Sequence, residues 1–538
     1  MDNEPPQQMR SREPSHTLES SFVIEGDACD LEESGPVLGL QSDASLSSFH
    51  NDPACHDPHL GLESGKLADP TIVDHGDHHH HKKSAGKRNI NAFQLAMLTY
   101  FFTCGGPFGI EPSVGAAGPV ITLVALFLVP VLWSLPQALM SAELSLMVDE
   151  NGGNIVWVQR AFGPFIGWIN AFNYLVSAFA SMALYPILVI AYLPQHWQDD
   201  LTDGEAFAIK FGFVFIIMLI NMWGISWVTR LSLIFLFFIL SPFLAEFIAL
   251  PIMGGLQWDR LGDVPAFTDI QWSLFISTTL WSFGGYDSMG SVAGEVKDGR
   301  KTYITGISIG LPLNILNYFL PVLVGWVYTP DRSVWVSGYF TTLAYKMSSV
   351  LGYYMMAASV MSNFGTFNVT MASMARVLWA MARAPGDAQQ LPSFVALSWR
   401  RAKTGTIRPI MGIVIVAIVV TMLSLLSYDI LVQVTMFMRV VNLLLEYFAL
   451  IRLKYTEPDT PRPFVVPGGK LGAYLIVLPT IALSGLLFAG GDWQLWTITG
   501  GANVIIVLTY FLKVAGQWLW RRYSPLAPND EETKRIIN

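Results

Sequence analysis

Long apolar runs follow one another from residue 93 to about residue 515, and each is close to the ~20 residues that a helix needs to cross a bilayer. Hydrophobic residues make up 52% of the chain and charged residues 14%, with a mean hydropathy of +0.43. Soluble domains are roughly one quarter charged, so these runs are expected to avoid water. The sequence predicts an all-α membrane protein with about twelve transmembrane helices, at 93–117, 119–147, 161–193, 207–223, 227–252, 271–296, 303–329, 346–382, 409–427, 429–454, 471–490 and 493–514.

Both ends of the chain are polar. Residues 1–90 are rich in Ser, Asp, Glu, Pro, His and Gly without a sustained apolar period, which predicts a disordered tail. The start lacks the basic and apolar regions of a signal peptide. The run His78–His81 is interpreted as solvated polar chain rather than a metal site, and no cofactor is expected. Residues 91–515 are predicted to form the transmembrane domain, and residues 516–538 a second polar tail.

Basic residues gather in alternate loops. Because Lys and Arg concentrate on the cytoplasmic side of a membrane, both termini are predicted to be cytoplasmic, and the plasma membrane is the expected location. The net charge of −9 arises largely from the first tail and the opposite loops, and no nucleic-acid partner is expected. The basic residues that carry this assignment are Lys82, Lys83, Lys87, Arg88, Lys297, Arg300, Lys301, Arg400, Arg401, Lys403, Arg408, Arg452, Lys454, Arg462, Lys470, Arg521 and Arg522.

Glycine clusters interrupt two of the predicted helices. Gly105, Gly106 and Gly109 lie inside the first span, and Gly284 and Gly285 lie inside the sixth. Each glycine costs a helix interior about 1 kcal/mol, so both helices should stop there. Unpaired peptide groups at membrane depth are tolerated where they line a cavity or bind a ligand. The breaks are therefore predicted to mark a binding site; the alternative is that the glycines only allow helices to pack closely.

Several motifs occur in a fixed order along the chain: GGPFGIEPSVGAAGP, LWSLPQALMSAELS, ENGGNIVWVQRAFGPF, WSFGGYDSMGSVAGEV, LLEYFALIRLKY and PRPFVVPGG. With them the chain resembles the amino acid, polyamine and organocation (APC) transporter superfamily over about residues 90–515, and its polyamine and L-type amino acid uptake branch in particular. The resemblance implies a five-plus-five inverted repeat, leucine-transporter-like, with helices one and six broken, two added helices, alternating access and proton-coupled uptake. The repeats would span about 93–252 and 271–454, and the added helices 471–514.

Two acids and three aromatic residues stand at the breaks. Glu111 opens the second half of the first broken helix and is expected to bind a substrate amine; the alternative is that it only satisfies backbone donors at the helix start. Asp287, inside the second break, is the leading candidate for the substrate ammonium, because an unpartnered acid at membrane depth costs about 2.5–3.5 kcal/mol. Trp281, Phe283 and Tyr286 offer ring faces for cation–π contacts with a substrate, while packing is the expected role of any single one of them.

Proton coupling needs a carboxylate whose protonation changes during transport. The candidates are Glu111, Asp287 and Glu246, which stands in an otherwise apolar fifth span. The alternative for Glu246 is a polar residue tilted toward the outer interface.

Three further acids fall toward the cytoplasmic ends of their spans. Glu143, Glu295 and Glu446 are interpreted as gate or loop-anchoring groups. Their proposed partners are Arg439, Arg376 or the basic residues of the inner loops.

The sequence thus predicts a secondary transporter that imports polyamines or cationic amino acids by proton symport, with the lipid bilayer as its environment. Plant members, as the resemblance implies, carry acids in the third and eighth spans, where this chain has Ser181 and Thr370. An L-type neutral amino acid carrier is therefore one alternative, and a transporter-like nutrient sensor is another. No enzyme is expected, since the chain has neither a GxxxxGK[ST] nor an HExxH motif. A partner subunit is not predictable.

Overall fold

A computed structural model of the chain describes residues 92–148, 152–223, 226–253, 264–296, 299–329, 331–384, 389–400 and 407–523. The predicted tail at 1–90, with its His78–His81 run, lies outside the described residues. So do residues 524–538, while the last helix continues to Tyr523, past the predicted end of the twelfth span. The helix continues because the residues after 514 include good helix formers and neither proline nor a glycine cluster.

The described residues are almost entirely helical. The α-helices are α1 Ala92–Thr103, α2 Glu111–Ala117, α3 Pro119–Val129, α4 Leu135–Met147, α5 Asn154–Phe162, α6 Pro164–Ala191, α7 Gln195–Asp200, α8 Asp203–Trp223, α9 Ser226–Met253, α10 Trp272–Ser282, α11 Gly299–Tyr328, α12 Tyr339–Met347, α13 Ser349–Arg383, α14 Ile410–Leu423, α15 Tyr428–Thr456, α16 Gly469–Ala489 and α17 Trp493–Tyr523.

Short elements complete this inventory. A π-helical stretch, Pro130–Ser134, joins α3 to α4, where Pro130 and Pro136 each lack a backbone donor. The 3₁₀ segments are Phe267–Asp269, Tyr286–Glu295, Arg332–Val334 and Ser393–Ala396. Two-residue strands, β1 Trp399–Arg400 and β2 Ile407–Arg408, pair antiparallel.

Seven of the described helical segments are long and apolar enough to cross a bilayer. They establish a multi-pass membrane protein, while the count of twelve and the inverted repeat stay predictions. The seven are Pro119–Met147, Pro164–Ala191, Asp203–Trp223, Gly299–Tyr328, Tyr428–Thr456, Gly469–Ala489 and Trp493–Leu519.

Helices α6 and α15 form the centre of the bundle. They pack along each other, and α5, α10 and α13 pack around them. At the periphery, α8 and α17 leave large apolar side chains exposed, among them Phe211, Phe215 and Leu512. Apolar side chains on the outside are expected when hydrocarbon is the solvent.

Both glycine clusters interrupt their helices, as predicted. Helix α1 ends at Thr103 and α2 begins at Glu111, while α10 ends at Ser282. After the second break the chain continues as the 3₁₀ segment Tyr286–Glu295 and not as an α-helix. Further glycines in this segment disfavour an α-helix, and Gly290 packs so closely on the Trp157 ring that a Cβ would stand 2.5 Å from it.

Candidate functional site

The first break is a glycine loop between α1 and α2. Gly105, Gly106 and Gly109 have φ angles of +68°, +157° and +95°, which L side chains rarely adopt. A Cβ on Gly105 would stand 1.7 Å from Thr366 Oγ1, and a Cβ on Gly106 2.4 Å from Ser362 Oγ. Helix α13 therefore packs against bare backbone, which only glycine allows.

Glu111 satisfies a backbone donor of this loop. The Gly109 N–H is shared between Glu111 Oε2 and the Tyr192 hydroxyl, each 2.8 Å away, and that hydroxyl donates to Glu111 Oε1. On the other side, the Tyr428 hydroxyl donates to the Gly109 carbonyl at 2.7 Å. Glu111 is fully buried in this network. The role that the sequence left as the alternative for Glu111 is thus present in the structure.

The second break lies directly against the first. Gly285 has φ +95°, and a Cβ there would stand 2.5 Å from the Phe102 carbonyl oxygen. The Phe283 carbonyl, freed by the break, accepts a hydrogen bond from Ser134 Oγ at 2.7 Å. The π-helical stretch before α4 supplies this serine. A neighbouring side chain therefore forms a hydrogen bond with a peptide group that the broken helix leaves unpaired. Such a partner is needed because lipid offers none.

Two asparagines of α11 tie the breaks together. Asn314 Nδ2 donates to Thr103 Oγ1 at 2.7 Å and to the Tyr286 hydroxyl at 3.0 Å, so one amide reaches both breaks. One turn later, Asn317 Nδ2 donates to Cys104 Sγ at 2.8 Å. Both asparagines are buried.

A cavity of about 100 Å³ lies where the two breaks meet. Its walls come from both breaks and from α6, α13 and α15, and they combine aromatic rings with hydroxyl groups. Among the described residues that line it, Arg439 is the only charged one, and none is Asp or Glu. The lining residues are Phe102, Thr103, Cys104, Trp133, Tyr174, Ser177, Ala178, Ser181, Met182, Tyr185, Trp281, Ser282, Gly284, Gly285, Ser288, Tyr318, Thr370, Ser373, Met374, Thr435, Met436 and Arg439.

Two of the predicted site residues line this cavity directly. Gly284 contributes bare backbone, and Trp281 donates its indole N–H to Ser181 Oγ at 2.9 Å. The Trp281 ring centroid lies 6.2 Å from that of Tyr185. The remaining predicted residues of the two breaks are buried around the cavity without lining it: Gly105, Gly106, Gly109, Glu111, Phe283, Tyr286 and Asp287.

Asp287 already has a cationic partner. Its carboxylate forms an ion pair with Arg439, and both side chains are buried. Arg439 also lies over the Tyr174 ring, 5.6 Å from its centroid. Arg439 lines the cavity and Asp287 does not, so the guanidinium is the charge that the cavity presents.

Glu246 lies apart from the cavity. It is fully buried in α9, and its two carboxylate oxygens have no hydrogen-bond partner among the described residues. One turn earlier on the same helix, Phe243 packs against Phe108 of the first break and Phe340 of α12. The structure therefore brings Glu246 near the first break but not to the cavity.

Glu143 pairs with two of the inner-loop basic residues, which were one of the alternatives that the sequence left open for its partner. Lys454 Nζ lies 2.6 Å from Glu143 Oε1, Arg462 Nε lies 3.3 Å from the same oxygen, and the Val466 N–H donates to Oε2 at 2.7 Å. Glu446 accepts instead from Asn154 Nδ2 at 3.0 Å. The Glu295 side chain lies outside the described part of the chain.

Sequence analysis named Ser181, Arg439 and Glu446 singly but missed the set of polar side chains to which they belong. On α6 and on α15, polar side chains recur at i, i+4, i+7 and i+11, which places them on one face of each helix. The two faces meet inside the bundle, where Asn442 Nδ2 donates to Asn170 Oδ1 at 2.9 Å. A search for polar periodicity within apolar spans would have found them. We call this set the polar seam: Asn170, Tyr174, Ser177, Ser181, Thr435, Arg439, Asn442 and Glu446.

Comparison with known proteins gives a consistent picture. The family model described as amino acid permease matches residues 90–514. The chain is 33% identical to the polyamine transporter PUT1 of Oryza sativa subsp. japonica over 443 residues, which cover 81% of each protein. It is 30% identical to the polyamine transporter RMV1 of Arabidopsis thaliana over 492 residues, or 89% of this chain and 97% of that protein. A probable agmatine/putrescine antiporter of Lactococcus lactis is 23% identical over 410 residues.

Proposed function

The chain belongs to the amino acid permease family, and on that premise we propose that it imports polyamines or cationic amino acids by proton symport. The observation that carries the proposal is the cavity enclosed where two membrane helices stop. Relatives at 30–33% identity that are named polyamine transporters support an organic amine as substrate. We propose the plasma membrane as the location and cytoplasmic termini as the orientation.

Alternating access follows from a five-plus-five inverted repeat, which we propose for this fold. The pairs α1–α2 and α10 with its 3₁₀ continuation would then be corresponding broken helices of the two repeats. Substrate sites of such transporters lie at the repeat interface near the bilayer midplane. The close contact of Gly285 with the Phe102 carbonyl supports this arrangement, because it places the two breaks side by side.

We propose that the substrate ammonium binds among the aromatic and hydroxyl groups of the cavity. Trp281 and Tyr185 offer ring faces, each worth about 0.5–2 kcal/mol toward a cation, and Ser181 offers an acceptor. Glu111 and Asp287 both have partners in this structure. To reach either carboxylate from the cavity, an ammonium would compete with the Tyr192 hydroxyl at Glu111 or with the Arg439 guanidinium at Asp287.

One observation favours a second candidate function, transport of neutral amino acids. The lining of the cavity carries a guanidinium and no carboxylate. Arg439 would suit the carboxylate of an amino acid, because guanidinium and carboxylate form charge-assisted hydrogen bonds.

Uptake into proteoliposomes tests the proposal. Labelled spermidine, putrescine, arginine and leucine would be compared with and without an inward proton gradient. We expect putrescine, spermidine or arginine to accumulate faster with the gradient. Preference for leucine would favour the second candidate function. Acceleration by an outward proton gradient would contradict symport.

Replacement of Asp287 tests its part in the site. We expect Asp287→Asn to abolish cation uptake while the protein still folds, and Asp492→Asn, at an exposed acid before α17, to transport normally. Unchanged cation uptake in Asp287→Asn would remove this residue from the proposed site.

A further inference from the structure

We propose that Asp287, Arg439 and Glu446 form one buried charge group that holds a single exchangeable proton, and that Glu446 carries it. This inference rests on the proposed function, which requires a proton site but leaves its position open. It assigns that role to an acid which lies neither in the two breaks nor in the cavity wall.

The three residues are connected through the polar seam. Arg439 pairs with Asp287 and donates to Asn442 Oδ1 at 3.1 Å. Glu446 lies two turns after Arg439 on the same face of α15, with Asn442 between them. Glu446 lies within electrostatic range of both Arg439 and Asp287.

The balance of charges in this group requires one of its carboxylates to be protonated. The group contains two carboxylates and one guanidinium, and all three side chains are buried. An unbalanced charge at membrane depth is expensive, so the group is neutral only when one carboxylate is protonated. Asp287 is directly paired with the guanidinium, whereas Glu446 has none beside it. The proton therefore belongs on Glu446.

The hydrogen bonds of Glu446 agree with this assignment. Oε1 accepts from Asn154 Nδ2 at 3.0 Å, and Oε2 has no hydrogen-bond partner among the described residues. Both oxygens of a buried ionised carboxylate normally accept hydrogen bonds, and here only one of them does. The anion is therefore incompletely stabilised by hydrogen bonds at this position.

Among the cationic groups that act on Glu446, Arg439 is the strongest. The titratable side chains that interact with Glu446 include Asp287, Arg439, Tyr174 from α6 and its own neighbour Tyr447. Lys454, two turns further along α15, is engaged by Glu143 of α4. Asn154 faces Glu446 from α5 as a neutral amide.

The position of Glu446 suits a proton that passes from the cavity to the predicted cytoplasmic side. Arg439 forms part of the cavity wall, and Glu446 lies two turns closer to the end of α15, where the predicted inner-loop basic residues gather. Asn442, Asn170 and Asn154 connect the two positions, since Asn170 Nδ2 donates to the Asn154 carbonyl at 3.3 Å.

The test compares Glu446→Gln with Glu457→Gln, the same change just beyond the end of α15. Equal-pH counterflow of labelled putrescine and arginine would measure exchange, and a pH dye inside the liposomes would report proton movement driven by substrate. We expect Glu446→Gln to keep counterflow within about twofold but to lose acceleration by a proton gradient and the dye signal. A wild-type gradient response in Glu446→Gln would overturn the proposal.

Infrared pH-difference spectra of the purified protein supply a readout that does not depend on the substrate. We expect wild type and Glu457→Gln to show a C=O stretching band from the protonated carboxyl of Glu446. Glu446→Gln should lack this band. Asp287→Asn should also lose it, because Glu446 then becomes the only counter-charge for Arg439 and ionises. Glu246 and other buried acids contribute separate C=O components. The assignment is overturned if Glu446→Gln or Asp287→Asn keeps every component that wild type shows. Absence of counterflow in wild type would instead contradict the proposed function.

Discussion

At the scale of single residues, Trp281 lies directly against the space that a substrate would fill. Its ring forms part of the cavity wall, and its indole N–H holds Ser181 in place. It stands where α10 ends, so the break fixes its position.

Replacing Trp281 by alanine should weaken substrate binding about tenfold, since ~1.4 kcal/mol, within the range of one cation–π contact, corresponds to that factor. Trp281→Phe should recover part of the loss because it keeps a ring. The apparent KM of uptake measures both. Trp493→Ala, at an exposed tryptophan, is the control. Equal KM values for Trp281→Ala and wild type would exclude Trp281 from the substrate contact.

The ion pair between Arg160 and Glu457, which lies outside the membrane-spanning helices, depends on the pH of the surrounding water. Arg160 donates two hydrogen bonds to Glu457, at 2.9 and 2.6 Å, which lowers the pKa of Glu457 below its ordinary value of 4.5. A lowered pKa stabilises the fold above the ordinary value, and this contribution is lost as pH falls through the lowered one.

Glu457→Gln should therefore reduce the free energy of unfolding at neutral pH by less than about 1 kcal/mol, the usual range of an exposed ion pair. The difference from wild type should vanish in acid. Thermal unfolding of the detergent-purified proteins across pH measures it. A difference that grows as the pH is lowered would mean that Arg160 does not lower the pKa of Glu457.

The residues of the candidate site were only partly predictable from the sequence. Gly284 was found because adjacent glycines disfavour a helix interior, which is a local effect, and Trp281 was found because it immediately precedes that break. The pairing of Asp287 with Arg439 was not found, because the two lie far apart in the chain and no local rule connects the 3₁₀ segment Tyr286–Glu295 to α15. The role of Glu111 was left open because its partner Tyr192 is equally remote.

At the scale of helices, one tight contact determines how closely the second break approaches the first. Gly285 combines a left-handed backbone with direct apposition to the Phe102 carbonyl. A side chain there would force α1 and α10 apart at the cavity.

Gly285→Ala should destabilise the protein by about 1–3 kcal/mol, the usual cost of such backbone strain, and should reduce transport. Gly485→Ala, in α16 with no neighbouring atom within 4 Å of the added Cβ, should be neutral or slightly stabilising. Thermal unfolding and uptake would be measured on both variants. Equal stability of the two would show that the contact is not tight in solution.

The sequence predicted the ends of the broken helices more reliably than the conformation of the chain beyond each end. Periodicity and glycine cost gave the ends of α1 and α10, because both are properties of the local chain. The 3₁₀ form of Tyr286–Glu295 was not predicted, since it depends on packing such as that of Gly290 against Trp157.

At the scale of the whole molecule, a buried ion cluster joins the ends of helices that are distant in sequence. Glu143 of α4 is held by Lys454 of α15 and by Arg462 and Val466 from the segment before α16. The cluster connects these segments on the side of the bundle for which the basic loops predict a cytoplasmic location.

Lys454→Met should reduce the free energy of unfolding by about 3 kcal/mol, because it leaves a buried carboxylate without its shorter ion pair. Lys470→Met, at an exposed lysine 4.2 Å from the Tyr455 ring centroid, should cost far less. Thermal unfolding compares them. An equal loss in both would show that Lys454 contributes no more than a surface lysine.

Asn314 couples the conformations of the two breaks. Because one amide bonds to Thr103 and Tyr286 together, neither break can change shape without releasing the same donor. Fluorescent reporters placed at either break should then record one common rate constant, and Asn314→Ala should split that relaxation into two.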